Sequence, residues 1–182
     1  MQWRRLVLIL FLCLVSGTAF YWWWLGRLER SQDVPIRAAA IRYQVDPCLV
    51  KAVVWRESFF HPRVRGRADE IGLMQIRDEA AHEWAEAEQI PGFDHEQCVD
   101  ARTNTLAGTW YLRKLLKRYA QANDPVPYAL ADYNAGRANV LKWNRGLAAT
   151  NSALFIEQIG FPGTKAYVRA VMARRTRYRR DF

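Results

Sequence analysis

The chain opens on an uncharged run of twenty residues, Leu6 to Leu25, reading LVLILFLCLVSGTAFYWWWL. A helix rising ~1.5 Å per residue covers a bilayer core of ~30 Å over that length, so the run predicts a membrane span. Arg4 and Arg5 precede it, and Tyr21 to Trp24 fall where an aromatic belt meets the far interface. A cleaved signal peptide is the alternative, since Gly17, Thr18 and Ala19 are small enough for a peptidase site. Cleavage after Ala19 leaves five aromatic residues on the new terminus, which favours the anchor. Cys13 follows the bulky Leu12 and makes a poor lipoprotein signal. Residues 1–28 are thus the expected anchor and residues 29–34 (ERSQDV) a polar tether.

From Pro35 onward the apolar positions recur at helical spacing and no strand alternation appears, which predicts an all-α domain over residues 35–173. Asp46-Pro47 is an N-cap followed by a proline suited to the first helical turn, and Leu49, Val50, Val53 and Val54 then share one stripe. Asp100 can cap a long central helix carrying Tyr111, Leu112, Leu115, Leu116 and Tyr119 on one face, with Gly108 admitting a close neighbouring helix. Pro127 starts a helix that Gly136 stops, and two more follow at 152–158 and 164–174, the last with Tyr167, Val168, Val171 and Met172 in a stripe. Residues 174–182 place five Arg in the seven positions from Arg174 to Arg180, a pattern read as a solvated basic tail attracted to anionic lipid or wall polymer.

Composition narrows the function classes. At 182 residues the chain has room for one domain and an appendage, and its 51% apolar and 25% charged residues suit a packed core. The net charge of +9 favours a polyanionic partner, but no nucleic-acid-reading element accompanies it. Three Cys without a Cys-x-x-Cys pair make neither a disulfide framework nor a metal site. His61, His82 and His95 lack metal-ligand spacing and read as surface or loop residues.

Glu57 is the outstanding candidate for chemistry. Extending the Leu49, Val53 stripe by four residues brings Glu57 to the same inward face. Burial there disfavours the ionised carboxylate and raises its pKa toward neutrality, the condition of a general acid. A carboxylate paired with one of the many Arg residues is the structural alternative. Ser58, next along, either caps the turn or orients the acid.

The motifs around Glu57 tip that balance. WRESFFHPRV, then Gly72-Leu73-Met74-Gln75-Ile76, then Ala129-Leu130-Ala131-Asp132-Tyr133-Asn134-Ala135-Gly136 occur in that order. Together they resemble the catalytic domain of the soluble lytic transglycosylase family, lysozyme-like enzymes that cut peptidoglycan. NTLAGTWYLRKLL from Asn104 and FPGTKAYVRAVM from Phe161 look like that family's supporting helices. The resemblance implies a helical, goose-type-like lysozyme fold and cleavage of the β-1,4 bond between N-acetylmuramic acid and N-acetylglucosamine. It puts Glu57 in the place of the acid/base, with Ser58, Met74, Gln75, Tyr133 and Asn134 as substrate-binding residues, Tyr133 and Asn134 holding the acid and the sugar. One carboxylate suffices if the substrate supplies its own nucleophile, giving a 1,6-anhydro end without metal, nucleotide or redox cofactor. The implied partner is the peptidoglycan glycan strand, and the implied location is the inner membrane with the domain on the periplasmic side. That settles an orientation which Arg4 and Arg5 on one flank and Arg27 and Arg30 on the other leave balanced.

Several positions depart from the family pattern. Arg67-Ala68-Asp69-Glu70 stands where a Gly-Ala step is usual, Asp132 replaces a small residue, and Gly163 stands where an acidic residue is frequent. If Asp69, Glu70 or Asp132 reaches the far side of the sugar, water is activated and the enzyme hydrolyses instead. The Pro-x-Thr helix start is replaced by Arg77-Asp78-Glu79, with Asp78 as the expected cap. A non-catalytic wall-binding module is the third reading. Cys48 and Cys98 can bridge in an oxidising compartment, the alternative being two buried thiols.

Overall fold

A computed structural model describes residues 2–182, the side chains of Gln2 and Arg5 apart. Among these residues the chain is helical and contains no strand, as the stripes and caps predict. Helix α1 spans Gln2–Arg30, and every side chain from Leu6 to Trp24 is exposed. It is long and apolar enough to cross a membrane. Over Leu6 to Trp24 its apolar side chains have no cover from the rest of the described residues.

The segment expected to be a tether is structured. Helix α1 carries through Glu29 and Arg30, Ser31 and Gln32 form a turn, and α2 (Asp33–Tyr43) follows at once. Leu28 packs on the core, Glu29 accepts a hydrogen bond from Arg174 at 3.0 Å, and Asp33 pairs with Lys51 at 2.6 Å. These partners lie far along the chain, so the local polar pattern carries no trace of them.

Helix α3 (Pro47–Ser58) is the hub, with Leu49, Val50, Val53 and Val54 all buried between α2 and the last helix. Asp46 caps it by accepting from the Cys48 N–H at 2.9 Å. Helix α4 (Asp78–Ala87) follows the loop carrying Gly72 to Ile76; its N-cap is Arg77, and Asp78 is the first helical residue instead of the cap. Helix α5 (Ala101–Arg118) is capped by Asp100 as expected and packs against α2, α4 and α6 (Val126–Ala135). The short α7 (Arg137–Trp143) and α8 (Ser152–Gln158) lead to α9 (Pro162–Asp181).

Residues 174–182 are not a frayed tail. They are the last turns of α9, with Tyr178 buried and Arg175 and Arg179 converging on Asp46 Oδ2 at 2.7 and 3.2 Å. The C-terminal Phe182 ring lies under the Arg37 guanidinium at 3.7 Å. Charge density signalled a solvated end; the acidic partners that fold it back, Glu29 and Asp46, are supplied by α1 and the α3 cap.

Cys48 and Cys98 are separate buried free thiols, so the bridge considered from sequence is absent. Cys48 begins α3, whereas Cys98 lies in a short 3-10 turn (His95–Val99) whose carbonyl receives the Asn104 amide. Burial pushes the Cys98 thiol up to about 12, which keeps it protonated and unreactive.

Gly108 serves a neighbour other than the helix expected. A Cβ there would lie 2.5 Å from the Met74 sulfur and 2.7 Å from the Met74 Cβ, so the position admits the loop before α4. Gly108→Ala should therefore destabilise the fold by about 1–3 kcal/mol despite the better helix propensity of alanine. A thermal melt should show the midpoint lowered by several degrees.

Candidate active site

Glu57 occupies the last turn of α3, and its Oε1 accepts a hydrogen bond from the Tyr167 hydroxyl of α9 at 2.6 Å. Burial pushes its pKa from 4.5 up to about 7, against the pull of the Tyr167 hydrogen bond and the Arg56 charge. The Glu70 carboxylate adds a smaller push in the same direction. Tyr167, itself buried, is held well above its ordinary value by that burial and by the adjoining carboxyl, so it stays a donor. Tyr167 stands in the chain only as a member of an apolar stripe, and its partner 110 residues away leaves no local signal of the hydroxyl's role.

The loop from Ile71 to Ile76 forms the opposite wall, and its shape is fixed from below. Asn104, fully buried on α5, donates to the Ile71 and Cys98 carbonyls and accepts from the Met74 N–H, each at 2.8 Å. Gly72 has φ +78°, and a Cβ there would meet the Asn104 amide at 2.3 Å, so glycine is required twice over. Ile71 and Ile76 exchange backbone hydrogen bonds at 3.1 Å, which closes the loop.

Between these walls lies a cleft of about 560 Å³ in which Glu57 faces Gln75, Tyr133 and Asn134. Its outer lip is polar, with Glu70, Glu79, Glu83 and Lys114, and Tyr111 adds an aromatic edge. Glu79 and Glu83 are one turn apart on α4.

The expected site residues do not all face that space. Gln75 does, at φ +46°, with its side-chain amide donating to the Val64 and Gly72 carbonyls at 3.0 and 2.9 Å. Met74 is fully buried beneath the floor against Gly108 and is not on the cleft surface. Ser58 is also buried, donating to the Val54 and Leu73 carbonyls at 3.1 and 2.8 Å, so it ties α3 to the loop. Tyr133 does not hold the acid: its hydroxyl donates to the Met74 carbonyl at 2.8 Å, and the hold on Glu57 comes from Tyr167. Asn134 accepts from Thr164 at 2.9 Å.

The additional carboxylates divide. Asp132 borders the cleft but is buried, and its Oδ2 accepts from Arg118 and Tyr119, both at 2.7 Å. Asp69 is exposed and outside the cleft lining. Glu70 lines the cleft; burial works against its ionisation, but the Ala68 N–H and the Arg77 guanidinium outweigh that and lower its pKa. His61 is exposed, while His82 and His95 flank Asp78 at 3.0 and 3.7 Å, His95 being largely buried. Among the described residues no three His, Cys, Asp or Glu side chains converge to hold a metal ion.

The sequence and fold of this chain are matched by known proteins. A family model described as the Transglycosylase SLT domain matches residues 34–156, and the chain belongs to that family. The soluble lytic murein transglycosylase of Escherichia coli K12 is 34% identical over 130 residues, covering 70% of this chain and 20% of the relative. A membrane-bound lytic murein transglycosylase F from Desulfosudis oleivorans is 35% identical over 117 residues, covering 63% of this chain and 24% of the relative. Among solved structures, an inactive mutant of lytic transglycosylase Slt from Pseudomonas aeruginosa superposes with a TM-score of 0.76 at 23% identity, over 85% of this chain and 25% of that one. The 70-kDa soluble lytic transglycosylase in complex with bulgecin A gives 0.74 at 27% identity, over 85% and 25%. The chain thus spans about a quarter or less of the length of these relatives.

The raised pKa of Glu57 has a sign in stability. The unfolded chain releases the proton near 4.5 and the folded one near 7, so the stabilisation present below the lower value is lost as pH rises through the upper. The difference is on the order of 3 kcal/mol. Glu57→Gln removes it, so the variant's melting point should gain on the parent's as pH goes from 4.5 to 8 in paired melts. Tyr167→Phe deletes the hydrogen bond that favours the anion, and a carboxyl-carbon NMR titration should find Glu57 above about 7.

Proposed function

We propose that the chain is a peptidoglycan lytic transglycosylase in which Glu57 acts first as acid and then as base. One observation carries the reading: Glu57 is held protonated near neutral pH by burial, whereas Glu70, Glu83 and Asp132 are ion-paired to Arg77, Lys114 and Arg118. Glu57 gives its proton to the glycosidic oxygen between N-acetylmuramic acid and N-acetylglucosamine, and the bond from that oxygen to C1 breaks. The substrate's N-acetyl group shields the developing cation. The Glu57 carboxylate then takes the proton of the C6 hydroxyl, and O6 closes on C1 to give a 1,6-anhydro end. Because the nucleophile is tethered, its effective molarity is high and no second carboxylate is needed.

Gln75, with its amide N–H groups turned to backbone carbonyls, offers its oxygen to a sugar hydroxyl or amide. Asn134, whose oxygen is occupied by Thr164, offers its N–H groups to an acetamido carbonyl. Tyr133, Met74 and Ser58 support the loop and act through it. The exposed apolar α1 supports a single span in the inner membrane, and a glycan substrate puts the domain on the periplasmic side. The likeness to a membrane-bound lytic murein transglycosylase supports association with a membrane.

Glu70 supports a second reading, hydrolysis, since it is an ionised carboxylate in the same cleft as Glu57. The products discriminate. Sacculi treated with the full chain in detergent should yield fragments with anhydro ends, one water lighter than hydrolysed reducing ends by mass spectrometry. Glu57→Gln should lower release by about a hundredfold or more while binding persists. Fragments of the heavier mass establish the hydrolase, and no release from the parent chain leaves a wall-binding module.

A further inference from the structure

A second depression, of about 380 Å³, shares Glu57 with the main cleft and is lined by Trp55, Arg56, Ser58, Phe59 and Val64. Its aromatic surfaces differ in availability. The Trp55 ring is covered by the Arg174 guanidinium at 4.0 Å, whereas the Phe59 side is 38% exposed. Phe59 is the C-cap of α3 at φ 50° and ψ 42°, and Phe60 follows at φ 65°. Two successive non-glycine residues in the left-handed region are strained, and a helix C-terminus ordinarily meets that requirement with glycine. Phe60 explains itself, being buried in the core. Phe59 does not: its ring meets Phe60 at 6.3 Å and a 59° tilt, and it keeps a large part of its surface in water beside the acid. A strained, exposed aromatic residue two positions from the half-buried acid motivates a functional role.

Pyranose rings carry apolar C–H faces that pack on aromatic rings, with polar rims left for hydrogen bonding. Arg56 provides such a donor at the same depression, its guanidinium 5.5 Å from the Tyr167 ring centroid. We infer that Phe59 is a stacking platform for an N-acetylated amino sugar, so that a glycan strand crosses Glu57 from the main cleft into this second depression. The inference rests on the glycan-cleaving reading and adds to it a subsite and the residue that defines it.

Glycine at position 59 relieves the backbone while deleting the platform, which separates folding from binding. In the full chain in detergent, Phe59→Gly should raise KM for peptidoglycan oligosaccharides about tenfold with kcat within about twofold, as expected for lost ground-state binding. The melting point should stay within about 3 °C of the parent's. Phe59→Trp should keep KM within about twofold. An unchanged KM in Phe59→Gly overturns the proposal, as does a fall in kcat accompanied by a lowered melting point. Binding of the same oligosaccharides to Glu57→Gln, with and without Phe59→Gly, gives an arm independent of turnover. A tenfold loss of affinity there supports the platform even where the parent releases no product, and equal affinities overturn it.

Discussion

The chemistry of this molecule depends on keeping one carboxyl out of water. Glu57 projects from the end of a buried helix, and desolvation outweighs both the hydrogen bond from Tyr167 and the charge of Arg56, so the neutral acid persists to about pH 7. Glu70 has the reverse balance, since the Ala68 N–H and the Arg77 guanidinium favour its anion, and Glu83 and Asp132 are ion-paired to Lys114 and Arg118. Acid and anion therefore coexist within one cleft because their surroundings differ. The melting experiments on Glu57→Gln probe this balance without any reference to catalysis.

Most of the remaining architecture holds the wall opposite that acid. Asn104 satisfies three backbone groups of the Ile71–Ile76 region and its neighbour from inside α5, Tyr133 satisfies the Met74 carbonyl from α6, and Ser58 satisfies Leu73 from α3. A loop in this position would otherwise bury unpaired polar groups, and three helices remove that cost. Three of the side chains expected to touch substrate, Ser58, Met74 and Tyr133, are part of this scaffold, and substituting them would act through Gln75.

The apolar N-terminal helix is held by the same kind of pairing. Arg174 of α9 is shared by Glu29 at the foot of α1 and the Trp55 ring one turn before the end of α3, so α9 links the apolar helix to the element bearing Glu57. The arginines of the last turns lose their appearance of a disordered tail once Asp46 and Glu29 are in place. Even so, Asp46 serves two structures at once, capping α3 and anchoring α9.

Sequence by itself determined what rests on short-range order. The caps Asp46 and Asp100, the stripe leading to Glu57, the helix at Ser152–Gln158 and the apolar run of α1 depend on neighbours within a turn or two, and periodicity records those. The Gly-Leu-Met-Gln and Tyr-Asn-Ala-Gly motifs pointed to the family for a related reason, because a loop this tightly constrained leaves few residue choices. Tertiary structure alone decided which side chain faces which. That Tyr167 and not Tyr133 bonds Glu57, that Met74 lies beneath the cleft, and that residues 29–34 and 174–182 are docked all follow from partners distant along the chain. Hydrogen bonds and ion pairs of that range leave no period in the chain, since they are set by how the helices cross.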